Sequence, residues 1–202
     1  MRTLLIGSVA GAEEPLVERL DAAGHDVVRC HHPDGPDFPC SALTEDGCPL
    51  EGHGPVDVAI TVHREGSPVT ARESGATCAV RAGIPLVVVS ADDHHPFVAV
   101  ADVSTGAEGV PRALDRAVAV AAEKRAAPLV AEARRLLEVE GIDAGEVRVD
   151  VTRDGDDARI VVWTERPVPD HVANAIATRV HAVDRAGTWP TTRVAVAVGA
   201  LA

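Results

Sequence analysis

Residues 56–89, VDVAITVHREGSPVTARESGATCAVRAGIPLVVV, decide the fold class of this 202-residue chain. Each end of the stretch is an almost unbroken run of Val, Ile, Leu and Ala, and a helix capped by Ser74 and stopping at Gly83 fits between the two runs. Continuous apolar strands joined by a helix are typical of a parallel sheet that is covered on both faces. The stretch therefore predicts a strand–helix–strand unit of an α/β domain.

The same alternation continues towards the N-terminus. Residues 3–7 predict a first strand, apolar residues at helical spacing then run up to Gly24, and residues 26–30 predict a second strand. On the other side of the opening stretch, residues 98–103 fit either a short helix or an antiparallel edge strand. We therefore predict a sheet of at least four parallel strands.

The strand order and size of roughly the first 125 residues resemble a receiver or flavodoxin-like domain. A receiver carries acidic residues after its first strand and an aspartate at the end of its third. Those places hold Gly7-Ser8 and Val62-His63 in this sequence. The resemblance implies a degenerate receiver-like fold without the acidic pair that binds magnesium.

The pattern changes near Ala126-Ala127-Pro128. An amphipathic helix is followed by two alternating segments that meet at Asp154-Gly155, which predicts a hairpin, and then by a second helix and a last strand. This α-β-β-α-β order resembles the small modules of alkaline-shock-type proteins and of the cytoplasmic ends of cation-diffusion transporters, a likeness of architecture alone. We predict an α/β domain over residues 1–125 and a small α+β domain over residues 126–202, the latter a candidate for forming a homodimer.

Composition narrows the functional classes. The net charge of -12 and the lack of a Lys/Arg cluster argue against binding to nucleic acid or to an anionic membrane. Aromatic content of only 2% also argues against base stacking. No apolar run approaches the length of a membrane span, and residues 1–8 are more typical of a strand than of a secretory signal. We expect a cytoplasmic protein.

Three of the four cysteines lie at or after the end of the second predicted strand and before the third, where a helix would normally join parallel strands. Residues 30–55 form a proline-rich loop that holds Cys30, Cys40 and Cys48, and a loop of this length in a compact domain is usually functional or disordered. Cys78 falls in the first turns of the helix capped by Ser74. Because ligands collect at the carboxyl edge of a parallel sheet, we expect all four cysteines to converge there.

Three interpretations of the cysteines compete. The first is that they are unrelated thiols, with Cys40 and Cys48 either free or bridged to each other. The second is that they are metal ligands, and the third is that one is a catalytic thiol with a histidine base. The spacing Cys-x9-Cys-x7-Cys-x29-Cys lacks the Cys-x2-Cys pair of common zinc modules. Prolines beside Cys40 and Cys48 are typical of cluster-binding loops, and a helix N-terminus near Cys78 would favour an anionic cluster.

We therefore predict a metal-binding protein in which Cys30, Cys40, Cys48 and Cys78 hold an iron–sulfur cluster, with 4Fe-4S favoured and zinc as the alternative, for redox sensing or electron transfer. The alternative class is a metal-free receiver-like regulatory or interaction module. No acid–base pair has catalytic spacing, so an enzyme is less favoured. The loop histidines are expected to be solvated or to donate hydrogen bonds to a cluster; the expectation covers His31, His32, His94 and His95, and the roles of His53 and His63 stay open.

Overall fold

The computed structural model describes residues 1–38, 40–45, 47–51, 54–64, 66–90, 95–154, 157–184 and 191–198. The chain divides into two compact units, Met1–Val120 and Ala121–Ala202. Within the described ranges, the helices are all too short or too polar to cross a membrane.

The first unit is an α/β domain built on a five-stranded parallel sheet, which confirms the predicted class. The strands lie in the order β2-β1-β3-β4-β5, and every neighbouring pair is parallel. The elements in chain order are β1 (Arg2–Gly7), α1 (Glu14–Ala22), β2 (Asp26–Arg29), β3 (Val58–Val62), α2 (Ser74–Arg81), β4 (Leu86–Val89), β5 (Val103–Thr105) and α3 (Val110–Val139).

The strands are continuously apolar because both faces of the sheet are covered. Alternate residues of a strand point to opposite faces. Leu5 and Ile60 belong to a core that also contains Leu16 of α1 and Leu114 of α3. On the other face, residues such as Leu4 and Val88 pack with Ala76 and Ala79 of α2.

Residues 98–103 contain both a helical turn and part of a strand. Val98–Val100 form one 3-10 turn, and β5 begins at Val103 and pairs in parallel with β4. The antiparallel alternative is therefore wrong. Because β5 begins at Val103, residues 90–102 supply the dozen or so residues that a parallel crossover needs.

The helix expected to begin near Ala126-Ala127-Pro128 begins at Val110 instead, so that one helix, α3, contributes residues to both units. A proline in a helix interior removes one backbone donor and often breaks the helix. Here the flanking residues are mostly Ala, Leu, Glu and Arg, which have the highest helix propensities, and the helix continues.

The second unit has the predicted α-β-β-α-β order. The end of α3 is followed by an antiparallel hairpin of β6 (Val147–Asp154) and β7 (Asp157–Thr164), by α4 (Asp170–Asp184) and by β8 (Thr191–Val198), which runs parallel to β7. Residues of both helices and of the hairpin form its core. Arg125 and the buried carboxylate of Asp184 form a bidentate pair of 2.5 and 2.6 Å.

Candidate metal centre

Cys30 lies at the carboxyl end of β2, between the sheet and α2. Its backbone N–H donates to the carbonyl of Leu5, at 3.0 Å, and extends the pairing of β2 with β1. The residue is only 9% exposed. A Cβ atom placed on Gly75 would lie 2.6 Å from the Sγ of Cys30, so the thiol packs directly against the backbone of the first turn of α2.

The Cys-rich loop returns to Cys30 through Ser41. The hydroxyl of Ser41 donates to the carbonyl of Cys30 at 2.8 Å. Cys40 precedes a 3-10 turn, Ser41–Leu43, and its Sγ accepts from the N–H of Ala42 at 3.4 Å. Through Ser41 this turn is tied to the end of β2, and it holds Cys40 near that end.

A buried arginine fixes the first part of the same loop. Arg72 is 1% exposed, and its guanidinium donates to the carbonyls of Gly35 at 2.9 Å and His32 at 3.0 Å. The carboxylate of Asp37 lies 3.7 Å away. Because Arg72 lies in the 3-10 turn Ala71–Glu73, which leads into α2, it ties the loop to the helix that carries Cys78.

Cys78 lies further along α2 than the sequence predicts. The predicted N-cap, Ser74, is the first residue of α2, and the capping box is formed earlier, by Thr70 and Glu73 around a 3-10 turn. Cys78 is thus in the second turn, where it is exposed. Since the field of the helix dipole falls off within the first turn, it contributes little at this position.

The four cysteines are free thiols, and the charges of neighbouring cysteines act on Cys30 and Cys78. Burial, followed by the charges of Cys40, Cys78 and Cys48, raises the pKa of Cys30 to about 12, while Arg72 acts in the opposite direction. Burial and the charges of Cys48 and Cys40 also raise the pKa of Cys78, against the effect of Arg81. Thiols from three separate segments therefore lie within electrostatic range of one another, and the Cys40–Cys48 bridge is not formed.

This electrostatic arrangement predicts that the metal-free protein loses stability in alkali. The unfolded chain releases the Cys30 proton near pH 9, whereas the folded protein holds it until about pH 12. The contribution of Cys30 is therefore complete below pH 9 and declines above it, by at most about 1.4 kcal/mol per pH unit. Urea unfolding of the metal-free protein at about pH 8 and about pH 10 measures this decline.

Cys30→Ala is the control for the pH effect, because other groups also titrate in alkali. The variant should lose less stability than the wild type over the same pH interval. Equal losses in the two proteins would contradict the assignment of the effect to Cys30.

The histidines near the thiols differ in exposure. His31 is buried, its Nε2 has no hydrogen-bond partner among the described residues, and burial together with Arg72 lowers its pKa. His95 is buried as well, so the solvated alternative is wrong for both, and a hydrogen bond from either ring to a cluster stays a prediction. His32 is exposed, as expected. His53 and His94 lie outside the described residues.

A second group of ligand-type side chains, which sequence reasoning missed, lies at the same edge of the sheet. His63 follows β3, Glu73 ends the 3-10 turn before α2, and His95 belongs to the segment between β4 and β5. One ligand atom from each residue lies within 4.8 Å of the other two. The rings of His63 and His95 are edge-to-face, with centroids 5.2 Å apart. The pattern Thr70-x-x-Glu73, a capping-box signature, is the sequence signal that points to Glu73.

No known protein-family model matches the chain, and no curated protein is significantly similar to it. The functional argument therefore depends on the chemistry of these two groups of side chains.

Proposed function

We propose that the first unit holds an iron–sulfur cluster on Cys30, Cys40, Cys48 and Cys78, and that the protein acts in redox sensing or electron transfer. The observation that carries the proposal is the electrostatic effect of the other three thiols on Cys30. Burial and the neighbouring thiols raise the pKa values of Cys30 and Cys78, which favours their protonated forms. A bound metal reverses this, because a coordinating thiol is deprotonated outright.

The spacing of the thiols favours a cluster over a single zinc ion. Four thiolates bound to one zinc at 2.3 Å stand only about 3.8 Å apart. Among the described residues, which include all four cysteines, the thiols do not make up a group whose ligand atoms all lie within 4.8 Å. A cluster with several irons spreads its cysteine ligands over a wider shell, so it needs less rearrangement of the loop.

The surrounding charges and donors support an anionic centre. Arg72 lowers the pKa of Cys30 and Arg81 lowers that of Cys78, so a positive charge acts on each of these two thiols. His31 follows Cys30 and has a buried Nε2 that no described residue satisfies. An imidazole N–H of this kind donates well to a thiolate or sulfide, and such hydrogen bonds tune the potential of a cluster.

The proposal includes a finer assignment of the fold. The strand order β2-β1-β3-β4-β5 is the order of flavodoxin-like domains, in which ligands bind at the carboxyl edge of the sheet. Since the free thiols require a reducing environment, the proposal assigns the protein to the cytoplasm. In this interpretation the edge of the sheet that carries the phosphorylation site in receivers carries a thiol site in this protein.

Anaerobic purification tests the proposal. We expect a coloured protein that contains iron and acid-labile sulfide in equal amounts, with visible absorption that bleaches on reduction. Replacing any one of the four cysteines with alanine should remove most of the iron and lower stability in the same variant, because metal binding is linked to folding. The measurements are metal and sulfide analysis, visible spectra and thermal unfolding.

Leu43→Ala is the matched control, since Leu43 is an exposed residue of the same loop whose side chain makes no hydrogen bond and has no sulfur. It should keep its iron. Protein that lacks iron and sulfide even after anaerobic reconstitution would refute the cluster. One zinc per chain in that protein would instead indicate a structural zinc site on the cysteines.

A further inference from the structure

His63, Glu73 and His95 form a largely buried group of two imidazoles and one carboxylate. Glu73 is 0% exposed and His95 is 3% exposed, while the side chain of His63 is 12% exposed. A buried carboxylate is costly unless a cation or hydrogen-bond donors compensate its charge. The carboxylate of Glu73 therefore requires hydrogen-bond donors or a positive partner in the folded protein.

The hydrogen bonds around His63 indicate where a cation can bind, between its ring and the carboxylate of Glu73. The Nε2 atom of His63 is 3.1 Å from the carbonyl of Ser67, which can only accept, so Nε2 carries the proton of the neutral ring. The Nδ1 atom then presents its lone pair to Oε1 of Glu73, 2.8 Å away. The other oxygen of Glu73 is already bound by the N–H of Thr70, at 3.0 Å. Two acceptors facing each other require a proton or a metal ion between them.

The environment of His63 matches that of a metal ligand. A ligating imidazole almost always donates its second N–H to a carbonyl or carboxylate, which fixes the tautomer. The bond from His63 to Ser67 has this form, and the bond from Thr70 to Glu73 orients the carboxylate in the same way.

The distance between the two facing atoms indicates the coordination geometry. With metal–ligand bonds of about 2.0–2.1 Å, atoms 2.8 Å apart subtend an angle close to 90°. A tetrahedral ion would hold them about 3.4 Å apart. Two imidazoles and one carboxylate are also the donor set of the facial triad that suits non-haem Fe(II).

We propose that His63, Glu73 and His95 form a second metal site, separate from the thiols, that binds one six-coordinate divalent first-row ion, preferentially Fe²⁺. His95 must adjust for this, because its Nδ1 now accepts from the N–H of Phe97 at 3.1 Å. A ligating ring carries its proton on the nitrogen that faces away from the metal. Binding through Nε2 therefore breaks the bond to Phe97, and the amide resonance of Phe97 reports it.

The test uses Co²⁺ as a probe in a four-serine variant, in which all four cysteines are replaced. We expect one Co²⁺ per chain, with the weak visible band of a six-coordinate ion and without thiolate charge-transfer absorption. Adding Glu73→Gln or His63→Ala should weaken binding by at least about 100-fold, since even the loss of an outer-shell partner costs 10- to 100-fold. His171→Ala, at an exposed position on α4, should leave binding unchanged.

A folded four-serine variant that binds no Co²⁺ would overturn the inference, as would binding that survives both Glu73→Gln and His63→Ala. Circular dichroism establishes whether the variant is folded. If it is not, the comparison is made between the anaerobically purified wild type and His63→Gln, which should contain one divalent ion fewer per chain and unchanged sulfide; equal metal content would then refute the site. Because the main test is made without thiols, absence of an iron–sulfur cluster in the wild type does not affect it.

Discussion

Replacing Arg72 with methionine is expected to destabilise the metal-free protein by about 3–5 kcal/mol, because two buried hydrogen bonds from a charged donor are lost. The guanidinium donates to the carbonyls of His32 and Gly35, and it is almost completely buried. Methionine fills a similar volume but donates nothing, so both carbonyls lose a charged donor, each such bond contributing about 1.5–3 kcal/mol. Urea unfolding of the two metal-free proteins measures the difference.

The same substitution should also weaken metal binding by the thiols. Arg72 lowers the pKa of Cys30, so its removal leaves the thiol harder to deprotonate. Arg72→Lys keeps the charge but not the planar fork, and it should fall between wild type and Arg72→Met. Arg116→Met, at an exposed position of α3, is the matched control and should change stability by less than about 0.5 kcal/mol. If Arg72→Met lowers the free energy of unfolding by less than about 1 kcal/mol, the hydrogen bonds from Arg72 do not stabilise the loop.

Replacing Gly75 with valine is expected to cost about 3 kcal/mol, at the upper end of the range for an overpacked core. A Cβ atom at this position would lie 2.6 Å from the Sγ of Cys30 and 3.2 Å from a side-chain carbon of Ile6. The backbone of Gly75 is helical, so the cost does not come from its dihedral angles. Helix propensity alone would favour valine over glycine by a few tenths of a kcal/mol, so the sign of the effect separates packing from propensity.

The variant should lose cluster binding together with stability, because the substitution displaces the thiol of Cys30. Thermal unfolding and iron analysis of the same preparation test both parts. Gly106→Val is the control, since a Cβ atom there meets nothing within 4 Å and its φ of -76° is accessible to any residue. A Gly75→Val protein as stable as the wild type would show that α2 can move away from the end of β2.

Local patterns were sufficient for most of the regular structure. Runs of β-branched residues predict β1 to β4, and periodic apolar residues predict α1 and α4. The errors at residues 98–103 and at Pro128 concern element boundaries. A three-residue strand such as β5 is defined by its partner β4 rather than by its own sequence, and whether a helix continues through a proline depends on what packs around it.

The candidate site was only partly accessible from the sequence. The expectation that the cysteines approach one another follows from the edge rule for parallel sheets, which needs only the ends of the strands. The roles of Arg72 and Glu73 needed the fold, since the carbonyl partners of Arg72 are 37 and 40 positions away and the imidazole facing Glu73 is 10 positions away. In the sequence these two residues look like ordinary charges near a helix start.

Local sequence is sufficient for the α/β class of the first unit, the α-β-β-α-β order of the second and the residue types of the candidate ligands, because apolar periodicity and side-chain chemistry are properties of short segments. Which polar groups are buried depends on the tertiary structure. The buried ones at this edge of the sheet are Cys30, His31, Arg72, Glu73 and His95. Burial depends on segments that are distant along the chain and meet at one edge of the sheet. It is burial that raises the pKa of Cys30 and makes an uncompensated charge on Glu73 costly.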